Sequence, residues 1–492
     1  MWRCAYRPPR RASRDGGCAP VNDVDETELM TKPTTGRGLG LKRLGGNAAL
    51  TFIAQIAASA IGLGLSILLA HTIDAEGVRV YGIALLLPNT LVTLLEFGIQ
   101  YANVYHIGRG DVNAREVLRA SLWIWGVITA IGFAIAGLIL YYFGAKWFPG
   151  VSAAFMLIAL VSFPPNLLQF YCQSILQGYQ DFKRFNYLTV IVQATTFILS
   201  AIMLLVFHLG VAAVLVAFTI GQFLSLIITV VVLQPYLSRT PKPVEHVSWW
   251  EYGRKAVDYG WRQHLGAVIA FVNYRVDFFF VNFFLGATLA GGATVGAYYV
   301  AIQLGESMWI ISKVVSTVLL PRLAELHDQE TTRLQLTPLV CRLVVFLTFV
   351  AAVVVALIAR PLLLLWGPKF AIAATILMWM LPGIVMWSAT RIIAYDFSAR
   401  GRPELNSYLA GIVCVLNIAL NVILIPRIGV LGGAISTTVA YTANTLATAY
   451  LYRQFSDLPS WKLFILQPED LRLLRDAARL ALAKARRPSS GG

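Results

Sequence analysis

Asn273, Arg275 and Asp277 interrupt the run AVIAFVNYRVDFFFVNFFLG, which is otherwise apolar enough to lie in hydrocarbon. A guanidinium there could hold an anion, an amide could bind hydroxyls, and a carboxylate could carry a proton or a cation. Each Arg, Lys or Asp at mid-bilayer costs about 2.5–3.5 kcal/mol, whereas a Leu, Ile, Phe or Val returns about 0.3–0.6 kcal/mol. Such groups must therefore face other helices or water.

Further polar residues recur at helical spacing. At 100° per residue, Asn89, Thr93, Glu96, Gln100 and Asn103 share an arc of about 80°. Asn47, Thr51, Gln55, Ser59, Gly62 and Ser66 form a second stripe, and Asp258, Arg262, Asn273 and Asp277 a third, about 100° wide. Gln303, Glu306 and Lys313 share one side of a fourth helix. Arg275 lies about 160° around from Asp277, so the two cannot pair within their helix. Two readings stay open. The stripes either bond neighbouring helices, at about 0.6 kcal/mol per contact, or line a water-filled cavity between two halves of the molecule. On the second reading Gln55, Asn89, Glu96, Arg262, Asn273, Arg275, Asp277, Gln303, Glu306 and Lys313 are candidate wall residues for a polar, anionic cargo.

The elements that must position these residues follow from composition. Hydrophobic residues make up 57% of 492 positions and charged ones 13%, far more apolar side chain than a soluble core of this size buries. The apolar runs are continuous, as helices crossing about 30 Å of hydrocarbon require, with none of the alternation of membrane strands. Twelve spans are expected, near 48–70, 81–104, 119–142, 151–175, 187–207, 211–233, 261–284, 295–320, 339–359, 370–391, 406–425 and 431–452. Lys and Arg concentrate in alternate loops, Arg333 and Arg391 among them, which puts both termini in the cytoplasm. Only Arg79, Lys146, Arg360, Lys369 and Arg427 fall in loops on the opposite side. The net charge of +15 is thus a topology signal, and nucleic-acid binding would need a basic soluble domain that the pattern does not contain.

Residues 1–46 read as a disordered basic cytoplasmic tail, with Met30 an alternative start, and 47–235 as a first six-helix bundle. A cytoplasmic linker follows over 236–258, a second bundle over 259–455, and a cytoplasmic amphipathic helix and tail over 456–492. FPPNLLQF at 163 and LPGIVMWS at 381, with HLGVAAVLVA at 208 and RIGVLGGAIS at 427, suggest that the bundles repeat in parallel orientation, as in many carriers. The chain holds no GxxxxGK[ST], no HExxH and no CxxC among its five cysteines, so nucleotide hydrolysis, zinc chemistry and a disulfide framework are not indicated. No enzyme and no cofactor is expected.

NYRVDFFFVNFFLGATLAGGATVGAYYVAIQL, followed by Pro321 and Arg322, resembles the start of the second lobe in polysaccharide and O-antigen flippases of the multidrug/oligosaccharidyl-lipid/polysaccharide exporter superfamily. QGYQDFKRFNYL at 177–188 is similar to their turn between helices four and five, and ARGRPELNSYLAGIVCVLNIALNVILIPRIGVLGGAISTTVAY to their penultimate helix pair. The resemblance covers most of residues 45–455. It implies an all-α fold of two six-helix bundles meeting in a V. The cavity would open alternately and move a polyprenyl-diphosphate-linked oligosaccharide across a bacterial plasma membrane for surface polysaccharide synthesis, among them lipopolysaccharide and exopolysaccharide. By that likeness Arg275 and Asp277 match an Arg-x-Asp of the seventh helix, and Lys313 is a further cavity cation. A proton or sodium ion would drive the return step, and a polysaccharide polymerase and chain-length regulator would be the protein partners. The alternatives are a drug antiporter of the same superfamily, which would favour an acidic cavity, and a non-transporting scaffold.

Overall fold

The computed structural model describes residues 35–238, 248–313, 315, 316, 319, 330–400, 402, 404–456 and 458–470, with side chains from residue 50 onward apart from 262, 263, 289 and 399. Contacts separate residues 1–44 from one compact unit of residues 45–492. The expected N-terminal tail as far as residue 34, including Met30, and the amphipathic stretch after Asp470 lie outside the described residues, whereas residues 35–46, expected to be disordered, form the first turns of α1.

Fourteen α-helices are described: α1 (Thr35–Thr72), α2 (Asp74–Leu95), α3 (Ile99–Arg109), α4 (Ala114–Trp147), α5 (Ala153–Leu160), α6 (Phe163–Gly178), α7 (Phe182–Ala201), α8 (Val211–Ser238), α9 (Trp249–Leu285), α10 (Leu289–Ser307), α11 (Glu330–Leu363), α12 (Ala371–Ala399), α13 (Glu404–Ile428) and α14 (Val430–Tyr452). No strand occurs among the described residues. Ten helical segments are long and apolar enough to cross a membrane. α10 and α14 complete the twelve expected crossings but are less apolar, because both are packed inside protein. Gly432, Gly433, Ala434, Ser436 and Thr437 of α14 are all buried, the small-residue surface that lets membrane helices approach closely.

Two expected spans are broken. The second divides at Glu96–Gly98, where Phe97 and Gly98 take left-handed backbone angles. A Cβ on Gly98 would lie 2.2 Å from the carbonyl oxygen of Gly260, so α3 can begin against α9 only with glycine at both positions. The fourth divides at Val161–Ser162, where Pro164 and Pro165 open α6: proline is tolerated in a first helical turn and removes amides a continuous helix would need. The matching Pro382 of the second half is single and sits inside an unbroken α12.

In the first half, α6 packs on α3, α4 and α8, and α8 on α7; in the second, α12 packs between α11 and α14, and α13 on α9 and α14. The halves meet where α10 lies on α2 and where α3 and α4 lie on α9. At the first contact a Cβ on Gly296 would stand 2.0 Å from the Ala75 carbonyl oxygen. There Arg79, 1% exposed, binds Glu76 and donates to Pro149 O at 2.9 Å and Asn282 Oδ1 at 2.9 Å. The sequence reading put Arg79 in a solvated loop; it instead ties the halves together, held by fixed acceptors on both.

Beyond α14 the chain turns back at Ser460–Leu463 and docks on α11. Arg342 donates to Asp470 through Nε at 2.6 Å and Nη2 at 2.8 Å, and Nη1 donates to Lys462 O at 3.2 Å. Burial would raise the Asp470 carboxyl, but the Arg342 guanidinium and the Gln467 amide outweigh it and hold it below its ordinary 3.8. A depressed carboxyl stabilises the docked form above its ordinary value and ceases to do so as pH falls through the lowered one. A spin label at Ser460 is therefore expected to stay immobile at neutral pH and to loosen only in strong acid.

Candidate functional site

Two polar cavities flank α9. The first, about 320 Å³, lies between the halves and is lined by Asn89 and Thr93 of α2, Asn166 of α6, Arg275 of α9, and Gln303 and Glu306 of α10. Helices two, seven and eight of the expected four therefore contribute to it. Arg275 and Glu306 pair there as a fork, Nη1–Oε1 at 2.9 Å and Nη2–Oε2 at 3.3 Å, with side chains 33% and 28% exposed. Asn166 Nδ2 donates weakly to Asn89 Oδ1 at 3.4 Å, and Gln303 Oε1 is buried without a partner. The chamber thus offers amides and hydroxyls around an internally neutralised ion pair.

The second cavity, about 570 Å³, opens beside Tyr274, one residue before Arg275. It lies mainly within the second half, with Tyr101 of α3 at its edge. Lys313, in the helical residues that follow α10 from residue 310, and Arg391 of α12 both line it. Neither has an ion-pair partner among the described residues. Arg391 lies over the Trp309 ring, 5.4 Å from its centroid, which orients the guanidinium without neutralising it. Asn406, Asn444, Thr390 and Thr448 supply amides and hydroxyls to the wall. Asn444 Oδ1 is buried without a hydrogen-bond partner among the described residues. Two cations without an ion-pair partner among the described residues, beside amides and hydroxyls, form an environment suited to a polar anion.

Several candidates lie elsewhere. Asp277, expected on the cavity wall, is 3% exposed inside the second half. Its Oδ2 accepts from Tyr298 at 2.8 Å and Thr437 at 2.9 Å, and its Oδ1 from the Phe278 amide at 2.7 Å. Asn273, 1% exposed, accepts from Asn417 Nδ2 at 3.1 Å. The face of α9 carrying 273 and 277 is covered by α13 and α14, which leaves Arg275, on the far side, to meet the chamber. Glu96, also expected on the wall, is 5% exposed at the α2–α3 break. It accepts from Gln100 Nε2 at 3.1 Å and lies 3.7 Å from His264 Nδ1. Asn103 is likewise dry, accepting from Tyr252 at 2.6 Å and donating to Ser174 at 2.9 Å. The left-handed residues at the break reset the helical phase, so the five-residue stripe never forms one wall. Gln55 stands half-buried on α1 and is absent from the linings of both cavities. The Arg262 side chain lies outside the described residues.

The sequence reading missed Arg391, placing it in a connecting loop. Its signal was the apolar helical run continuing to Ala399, past the expected end at 391. Asn166 was hidden behind the double proline, and His264 had no recognisable ligand spacing.

An all-helical membrane bundle of two packed halves with polar cavities between and beside them has the architecture of a transporter of the multidrug/oligosaccharidyl-lipid/polysaccharide superfamily. Its fold matches the solved lipid II flippase MurJ in an inward closed conformation, with TM-score 0.66 and 17% identity over 84% of this chain and 89% of that one. It also matches an inward-facing multidrug resistance MATE family transporter, with TM-score 0.65 and 14% identity over 83% and 98%. At these identities the likeness concerns the fold alone. The model of the lipid II flippase MurJ family matches residues 108–476, and the chain belongs to that family, a family of transporters. A curated relative, the probable low-salt glycan biosynthesis flippase Agl15 of Haloferax volcanii, is 32% identical over 92 residues. That match spans 19% of this chain and only 20% of the relative's length.

Proposed function

We propose that the chain carries a polyprenyl-diphosphate-linked oligosaccharide across a bacterial inner (plasma) membrane by alternating access, with both termini cytoplasmic, in the synthesis of a surface polysaccharide. The observation that carries the reading is that Lys313 and Arg391, neither with an ion-pair partner among the described residues, line one amide- and hydroxyl-bearing cavity. An uncompensated charge inside a membrane bundle is costly, and an anionic cargo is the partner that would offset it. A diphosphate brings about two negative charges that cannot cross hydrocarbon unaided, and Arg and Lys replace its hydration with charge-assisted hydrogen bonds. Glycan hydroxyls suit the amides of both cavities. Export of cationic drugs is disfavoured by the same charges, since Glu306, the carboxylate among the described residues lining the interlobe chamber, is already occupied by Arg275.

For the return step we propose that Asp277 takes up the coupling proton or sodium ion, because its hydrogen-bonding partners Tyr298, Thr437 and the Phe278 amide are all neutral. A polysaccharide polymerase and a chain-length regulator are the proposed protein partners. Thermal unfolding of the purified protein tests the cargo class. Polyprenyl diphosphate at about a hundredfold over its Kd is expected to add about 2.7 kcal/mol and raise the midpoint, whereas neutral polyprenol is not. Equal shifts from both lipids, or a shift only with a cationic dye, would contradict the reading.

A further inference from the structure

A cavity of about 480 Å³ lies at one end of the α7–α8 pair, lined by Asp181, by residues of α7 and by Val232 of α8. It shares no residue with the linings of the two polar cavities. The apolar segments 182–206 and 211–238 pack against each other here, the start of one beside the end of the other. Asp181, Lys183 and Arg184 therefore stand at the membrane boundary, on the side that the charge pattern makes cytoplasmic. Polarity changes quickly along the groove. Tyr187, 64% exposed, follows the cations by one turn, and Leu188, Ile191 and Val232 then form an apolar floor. From Lys183 to Ile191 the helix advances only about 12 Å.

The charges at the mouth are positioned by their neighbours. Arg184 Nη1 donates to the Tyr236 hydroxyl at 2.8 Å, the guanidinium lies 5.4 Å from the centroid of that ring, and the hydroxyl in turn donates to Asp181. Arg184 and Asp181 are 3.4 Å apart, yet 46% of the Arg184 side chain stays exposed. The carboxylate thus offsets one cation while the tyrosine holds it in place. Lys183 is exposed and has no ion-pair partner among the described residues. Other basic residues on the same side do: Arg119 meets Glu116 at 3.5 Å and Lys255 meets Glu251 at 2.9 Å. Two cations against one carboxylate leave a net charge of +1 above an apolar floor. A phosphodiester with one negative charge and no ammonium complements that mouth, and acyl chains complement the floor. A zwitterionic headgroup would bring its own cation up to Lys183 and Arg184.

We propose that this cavity binds one monoanionic phospholipid of the surrounding leaflet, its phosphodiester at Lys183 and Arg184 and its upper acyl carbons over Leu188, Ile191 and Val232. The occupant is a resident membrane lipid and not the carried one, so the inference stands apart from the flippase reading. To test it, p-benzoylphenylalanine is placed at Ile191 in the full chain, which is reconstituted into phosphatidylcholine vesicles. These hold the same small fraction of either tritiated phosphatidylglycerol or tritiated phosphatidylcholine, and labelling on irradiation is expressed as the ratio of the first to the second. Val232 on the facing helix serves as a second reporter position, so that a folding defect at one does not decide the result, and Leu357, 77% exposed on α11, is the reference. The ratio at Ile191 and Val232 is expected to exceed that at Leu357 by about tenfold. It is expected to drop to the Leu357 value when Lys183→Gln and Arg184→Gln are combined. The same ratio at all three positions, or a preference that the double substitution leaves intact, would overturn the site. A preference abolished by free glycerol 3-phosphate would overturn the lipid as occupant, since a soluble phosphate would then fill the mouth without any chain on the floor.

Discussion

Replacing Lys313 and Arg391 together by glutamine is expected to lower translocation of a polyprenyl-diphosphate-linked glycan by about a hundredfold or more, with insertion and monodispersity unchanged. A hydrogen bond to a charged group contributes about 1.5–3 kcal/mol, so losing one at each position removes at least about 3 kcal/mol of cargo binding. Each 1.4 kcal/mol is a factor of about ten. Folding is expected to survive, since neither cation has an ion-pair partner among the described residues and glutamine strands no carboxylate. Vesicle translocation set against detergent size-exclusion profiles reads both halves of the expectation. Loss of the folded peak would mean that the pair supports structure instead of cargo.

The largest stability effect is expected at Asp396. This carboxylate is fully buried, accepts from Arg333 Nε at 2.9 Å, Thr337 at 3.1 Å and Arg400 Nε at 2.5 Å, and its carbonyl oxygen accepts from Arg333 Nη2 at 2.9 Å. Arg333 is itself 2% exposed, so Asp396→Ala leaves a buried guanidinium with no carboxylate, at a cost of about 3–5 kcal/mol. Arg400 retains Glu330 at 2.6 Å and adds little to the loss. The thermal midpoint should fall by several degrees, and combining Asp396→Leu with Arg333→Leu should recover most of the drop, since apolar side chains replace a buried pair without leaving a charge. A double substitution as unstable as Asp396→Ala would show that packing around the pair, and not the stranded charge, sets the cost.

These two clusters show what the sequence could convey. The crossings were legible because hydrocarbon thickness fixes a length, and a run such as that of α13 or α8 admits few other readings. The broken spans were less so: glycine at 98 and the double proline mark where a helix can stop, but continuous apolarity across 81–104 and 151–175 conceals that it does. Stripe arguments located polar faces without saying which neighbour covers them. Arg275 and Asp277 occupy one turn of α9, yet the packing of α13 and α14 against one side sends the carboxylate into a dry contact and leaves the guanidinium to the chamber. Charge-rich loop ends misled in a consistent way. Arg79, Arg333 and Arg391 read as solvated topology markers, whereas the first two find partners distant in sequence, Asn282 and Asp396. Such pairs appear only once the helices are assembled.

The central claim is that this chain moves an anionic glycolipid through its polar cavities. It is tested most directly by reconstituting the purified protein into vesicles that carry a long-chain polyprenyl-diphosphate oligosaccharide on one leaflet and following the glycan's accessibility to an added glycosidase. The account predicts a time-dependent change of leaflet that disappears when Lys313 and Arg391 are both glutamine. A rate equal to that of protein-free vesicles, or one that the double substitution leaves untouched, would contradict it.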